Sequence, residues 1–172
     1  MADHRQLVGQ LDRNQRFLAA AATRDGRLAL LTSIGDEQRA LGRLREAEIT
    51  LREACALAEE LVDRRALVDN LLVLARTVSE LNRPADAETI LREADLLCCE
   101  RLVGERQDDV LTELATVIAG LGRRDEAVPL LEQALLLRTG RGDRVGAAAI
   151  EKVLGSWGIA RPDAPLSERS RG

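Results

Sequence analysis

The sequence predicts an all-α protein, an α-solenoid of tandem antiparallel helix hairpins with about eight helices. Three observations lead there. Of 172 residues, 30 are Leu and 25 are Ala, whereas aromatics make up 1%, with Phe17 and Trp157 alone and no Tyr. Leu and Ala are strong helix formers, and so aliphatic a composition argues against a β-sandwich or barrel. Apolar residues recur at helical spacing, as in Leu67, Leu71, Leu74, Val78 and Leu81. Finally, the chain repeats itself every 40 residues: Leu41, Leu81 and Leu121 share this interval, as do Ala47, Ala87 and Ala127, and Ala54, Ala94 and Ala134. Longer columns run Leu11, Leu51, Leu91, Leu131 and Phe17, Leu57, Leu97, Leu137. Ile34, Leu74, Leu114 and Leu154 form another, each followed by Gly or Ala.

The register places each element in order. Residues 1–24 keep the pattern of a second helix, with Asn14 standing where later repeats have Ala, and read as an N-terminal helix that is half of a degenerate repeat. A solenoid spanning 25–160 follows. Its first unit, near 27–64, has helices at 27–41 and 44–61 around Gly42. The second, near 65–106, has a helix at 65–81, then the stop Asn82-Arg83-Pro84, with Pro84 suited to the first turn of a helix reaching to about 100. The third, near 107–143, has helices at 107–121 and 125–139 around Gly122. A closing helix at 144–158 carries Ile150, Leu154 and Trp157 on one face. Residues 161–172, with Pro162, Pro165 and a Ser/Arg finish, read as a disordered tail. Small residues at Ala47, Ala54 and their equivalents let the paired helices approach closely.

Charge and composition narrow the function. A net charge of −4 supplies no basic field for nucleic acid or an anionic membrane. No stretch is long and apolar enough to span a bilayer, and residues 1–10 lack the apolar run of a signal peptide. Three cysteines, Cys55, Cys98 and Cys99, do not resemble a secreted disulfide framework, so a cytoplasmic location is expected.

Catalytic chemistry finds little support. His4 is the only histidine and lies near the N-terminus, so a Ser–His or Cys–His arrangement is not expected. Glu46, Glu48, Glu53, Glu59 and Glu60 sit among Arg45, Arg52, Arg64 and Arg65, as solvated helix faces with i,i+4 pairs do. Gly140-Arg141-Gly142-Asp143 lacks the flanking strand and the Lys-Ser/Thr of a phosphate-binding loop, and reads as an interhelix turn. Cys98 and Cys99 diverge by ~100° on a helix and cannot clip one metal ion together. Cys98 is expected to pack as a small hydrophobe. The expectation is therefore of no enzyme, no metal and no cofactor.

The run Leu31-x-x-Ile34-Gly35, Leu41-Gly42, Ala47, Leu51, Ala54 resembles the tetratricopeptide repeat (TPR). The third unit matches it with Leu111, Leu114-Ala115, Leu121-Gly122, Ala127, Leu131 and Ala134. Leu replaces the family's first aromatic in all three full units, and Gln38, Val78 and Ile118 replace its second. The closing Pro is absent. The 40-residue period is similar to the longer-helix subgroup, such as kinesin light chain repeats and bacterial quorum-sensing peptide receptors.

The resemblance implies a right-handed superhelix whose first helices line a concave groove. Carried onto this chain, its groove positions are Ala29, Thr32, Ser33, Asp36, Arg39 and Ala40. In the second unit they are Asp69, Leu72, Val73, Arg76, Ser79 and Glu80. In the third they are Asp109, Thr112, Glu113, Thr116, Ala119 and Gly120, with Lys152, Val153 and Ser156 on the closing helix. Such a groove is mildly acidic with Leu72 and Val73 as an apolar floor, and fits a protein or peptide segment carrying basic and aliphatic side chains. The basic set with which similar chaperone adaptors grip a C-terminal carboxylate is not reproduced. The leading expectation is a non-enzymatic adaptor or regulator. A sensor of short signalling peptides, or a self-assembling structural subunit in which Trp157 and Val153 contact a second copy, are the alternatives.

Overall fold

In a computed structural model of the chain, residues 2–99 and 106–159 are described. They form eight helices and no strand: α1 (Ala2–Ala20), α2 (Arg24–Ala40), α3 (Leu44–Glu60), α4 (Arg64–Glu80), α5 (Pro84–Cys99), α6 (Gln107–Gly120), α7 (Arg124–Gly140) and α8 (Arg144–Ser156). The all-α hairpin architecture expected from the sequence is therefore present. The tail expected at 161–172 lies outside the described residues. The chain divides into two compact units, Met1–Arg106 with α1–α5 and Gln107–Gly172 with α6–α8.

The period has a local cause. Thr23, Asp63 and Asp143 occupy one column of the repeat, and each caps a first helix. Their side-chain oxygens accept from the amides of Gly26 (3.1 Å), Ala66 (3.0 Å) and Gly146 (2.9 Å). The cap at Thr23 starts α2 at Arg24, three residues earlier than the apolar pattern alone indicates. Helix ends are equally regular. After α2, the amides of Leu41, Gly42 and Arg43 donate to the carbonyls of Glu37 (3.0 Å), Arg39 (2.9 Å) and Gln38 (2.8 Å), and the corresponding bonds close α3, α4, α6 and α7. This Schellman-type ending requires a left-handed residue. It falls at Gly42, Val62, Asn82, Gly122 and Gly142, with φ of 74°, 58°, 61°, 83° and 76°. A helix of 17 residues plus a three-residue turn thus makes half a repeat. Val62 is the exception in residue type, since a β-branched side chain disfavours this backbone region.

In the first unit each helix packs on its sequence neighbour, and α2 also touches α4, as stacked hairpins do. Ala47, Ala54, Ala58, Ala87 and Ala94 are wholly buried, and Leu11, Leu31, Leu51, Leu74 and Leu91 fill the space between them. Gly35 lies so near α3 that a Cβ there would meet Leu51 Cδ2 and Cγ at 2.6 Å. Phe17 is 55% exposed although Leu57 in the same column is buried, because α1 packs chiefly on α2 whereas α3 packs on both α2 and α4. In the second unit α7 lies against both α6 and α8, over Leu111, Leu114, Ile118, Ala127, Leu131, Ala134, Ile150 and Leu154.

Charge fixes hairpin register in both units. Glu48 on α3 accepts from Arg52 (2.9 Å) and from Arg83 at the α4–α5 turn (3.0 Å). Hydrogen bonds from Arg52, reinforced by Arg83, hold the Glu48 carboxyl below the usual carboxylate range against the opposing effect of partial burial. In the second unit Asp108, 3% exposed, is held by Arg138 Nε at 2.9 Å and by Arg141. Arg138 also reaches Asp109 at 2.8 Å and Asp143 at 3.7 Å, joining the start of α6 to the end of α7 and the cap of α8.

Two consequences can be measured. Relief of left-handed strain makes Val62→Gly more stable by about 1 kcal/mol, whereas Gly35→Ala, overpacked against Leu51, loses about 1 kcal/mol net of its helix-propensity gain. Urea midpoints of the two variants move in opposite directions. Because the Glu48 carboxyl titrates lower folded than unfolded, its contribution is present above the unfolded value and disappears as pH falls through the folded one. Glu48→Gln therefore loses less than about 1 kcal/mol at neutral pH. Its thermal midpoint converges with wild type on acidification through the carboxylate range.

Candidate functional site

In the first unit the expected groove residues fall on α2 and α4. The cross-helix link is Arg39 Nη1 to Glu80 Oε1 at 2.9 Å, with Asp36 at 3.4 Å from the same guanidinium. Ser33 is exposed and donates to the Ala29 carbonyl at 3.0 Å, and Thr32 donates to that of Leu28 at 3.0 Å. Arg76 and Glu80 are exposed and Val73 half-buried. Leu72, expected in the apolar floor, is 5% exposed: α4 packs against α3 and α5 and touches α2, so its apolar circumference is already covered. Asp69 is half-buried and holds Arg106 at 2.7 Å.

At the opposite end of this face from the Arg39–Glu80 bridge lies a recess of about 350 Å³. Asp25, Leu28, Ala29 and Thr32 of α2 line one side, and Asp63, Ala66, Asp69 and Asn70 the other. Ala29, Thr32 and Asp69 belong to the expected groove, while Asp25, Asp63 and Asn70 were missed. A signal for Asn70 existed. Its column reads Leu30, Asn70, Val110, Ile150, one amide among aliphatic residues. Asn70 is wholly buried; its Nδ2 donates to the Ala66 carbonyl at 2.8 Å, and its Oδ1 accepts from no protein group.

In the second unit the expected positions lie on α6 and α8. Asp109 is engaged by Arg138, Glu113 is half-buried, and Thr116 is exposed and donates to the Thr112 carbonyl at 2.8 Å. Lys152 is exposed and Val153 is 40% exposed. Trp157 is half-buried at the end of α8, with the Arg124 guanidinium 5.8 Å from its ring centroid.

The groups weighed for chemistry are dispersed. His4 is exposed near the start of α1. Among the described residues no group of three His, Cys, Asp or Glu side chains could hold one metal ion. Burial, more than the nearby Glu93 and Glu59, pushes the Cys55 thiol up to about 12. Cys98 is 2% exposed, packed as expected, and Cys99 is exposed. Among the described residues no helix is long and apolar enough to cross a membrane.

Solved structures share this architecture. BtubC (BKLC) from P. vanneervenii superposes with a TM-score of 0.72 at 20% identity, over 89% of this chain and 63% of its own. A P. anserina protein described as a kinesin light chain with nearly identical TPR-like repeats gives 0.68 at 20% identity, over 88% of this chain and 80% of its own. No family model and no curated protein sequence matches the chain. The chain has the TPR-like helical-repeat fold, and spans less than two thirds of the first of these neighbours.

The cysteine environments give a direct check. A thiol-disulfide reagent titrates one cysteine per native chain rapidly, Cys99, and all three after unfolding. The fast phase is absent from Cys99→Ser.

Proposed function

We propose that the chain is a binding scaffold whose α2–α4 face captures an extended or helical protein segment carrying basic and aliphatic side chains. The observation behind this reading is the Arg39–Glu80 bridge at 2.9 Å, which joins two first helices across one face and presets its shape. A face organised before binding loses little conformational entropy when a segment docks. Exposed Ser33, Asp36, Arg76 and Glu80 offer hydrogen bonds and both signs of charge, and half-buried Val73 supplies apolar area. Those groups set orientation and partner choice more than gross affinity. On the second unit Glu113, Thr116 and Lys152 offer similar polar chemistry. The mechanism is recognition, with no covalent step and no cofactor, and the setting we infer is cytoplasmic.

Charge reversal tests it. Arg76→Glu combined with Glu80→Arg leaves helicity intact and stability within about 1 kcal/mol, since exposed pairs contribute little. Wild-type and reversed baits are compared by pull-down and mass spectrometry, and the recovered segment is then titrated as a purified peptide. Binding at least tenfold weaker to the reversed chain is expected, corresponding to about 1.4 kcal/mol. Equal binding to both chains overturns the assignment of this face.

A further inference from the structure

We propose that the recess between the N-terminal halves of α2 and α4 is a receptor for a guanidinium group, supplied by an arginine side chain of the bound segment. The inference deepens the proposed function and rests on it, because it names the side chain that the α2–α4 face selects.

Four observations point to this chemistry. Asp25, Asp63 and Asp69 place three carboxylates around one recess. Such a cluster could equally be a solvated surface, but Asn70 makes it unusual. This amide is wholly buried on the recess wall, its Oδ1 is an acceptor that no protein donor fills, and other repeats place Leu, Val or Ile at the same position. Leaving such an acceptor unpaired costs about 1–3 kcal/mol, a penalty that an aliphatic residue would avoid. A ligand that donates hydrogen bonds removes that cost.

The size and lining then define the donor. At about 350 Å³, with Leu28, Ala29 and Ala66 on its walls, the recess is too large and too apolar for a bare ion. Its carboxylates also do not form a metal-holding group. A guanidinium is planar and weakly hydrated, presents five donors, and stacks readily on apolar surface. Asp69 already meets one such group in Arg106, at 2.7 Å, which leaves Asp25 and Asp63 as the charges for an incoming one.

The local field agrees. The positive N-terminal ends of α2 and α4 would by themselves repel a cation. Asp63 offsets one as the cap of α4 and Asp25 the other in the first turn of α2. Nearby bases of α2 are drawn away from the recess: Arg24 pairs with Glu60 and Arg27 with Glu53 at 2.5 Å, both on α3.

The test uses the full chain and Nα-acetyl-arginine N-methylamide as the probe, followed by amide chemical shifts in ¹H–¹⁵N NMR spectra. The citrulline analogue, which has the same shape without the charge, and the lysine analogue serve as comparisons. Saturable shifts are expected at residues 25–32 of α2 and 63–70 of α4, weaker with lysine and absent with citrulline. Asp25→Asn combined with Asp63→Asn, which keeps a capping side chain at 63, weakens arginine binding about tenfold or more. Asn70→Val raises the unfolding midpoint and lowers arginine affinity. Unmoved recess amides at tens of millimolar arginine, equal shifts from citrulline, or undiminished binding by the aspartate variant overturn the proposal. Failure of each reading is distinguishable. A segment that binds wild type but not the Arg76/Glu80 reversal, with arginine silent at the recess, overturns only the guanidinium receptor. Arginine binding at the recess with no segment retained overturns only the wider capture.

Discussion

Helices that meet through alanine come closer together than helices that meet through leucine. In this chain six such alanines lie in two columns, Ala47, Ala87, Ala127 and Ala54, Ala94, Ala134, and all six are wholly buried. Close approach leaves little room between helices, which is why the core is aliphatic. Leu31, Leu71 and Leu111 fill positions where the TPR pattern has an aromatic ring, and the next such column holds Gln38, Val78 and Ile118, all buried. Gly35 takes the argument to its limit, since even a methyl there would collide with Leu51. The hairpins depend on this spacing, and the turns preserve it. Left-handed residues at 42, 62, 82, 122 and 142 end α2, α3, α4, α6 and α7 in the same register, so successive alanines arrive at the same height.

Spacing alone would let one helix slide along another, and buried or bridging charges resist that. Glu48 with Arg83, and Asp108 with Arg138 and Arg141, connect residues separated by a full helix or more. Their contribution to net stability is modest, because removing charges from water is costly. Their effect on register is larger. Once Asp108 is buried, any slip of α7 that withdraws Arg138 leaves an uncompensated charge, which is far more costly than the aligned pair. The same geometry removes Asp109 and Asp69 from the simple inventory of groove charges, since Arg138 and Arg106 already meet them.

The core was legible in the sequence because it is periodic. Columns at 40 residues named the buried alanines and leucines, and Gly42, Asn82 and Gly122 marked the turns between paired helices. Val62 gave no such sign, since nothing in its residue type announces a left-handed turn. The site was less legible, for two physical reasons. Groove positions transferred by register assume that every first helix exposes the same arc, but α4, packed between α3 and α5, buries Leu72, whereas Thr32 at the same position of α2 is only half-buried. Ion pairs such as Arg39–Glu80 join side chains on different helices, and long side chains reach partners that no short spacing rule identifies.

Departures from periodicity hold the remaining information. A repeat protein can place an aliphatic residue at every core position, so a polar one within such a column lowers stability without any benefit to the fold. Asn14 shows how such a departure can be internally resolved, because its amide donates to Glu37 at 2.8 Å. Glu37 itself is raised above the usual carboxylate range, by burial first, and that bond, with the Arg13 charge behind it, opposes the shift. Asn70 differs in kind. Its amide nitrogen is satisfied within its own helix, whereas its oxygen remains unfilled beside three carboxylates. One amide is met across the α1–α2 pair, and the other, on the wall of a recess, keeps an unmet acceptor. That asymmetry, rather than the acidity of the face as a whole, separates this end of α2 and α4 from the many charged helix surfaces in the same chain.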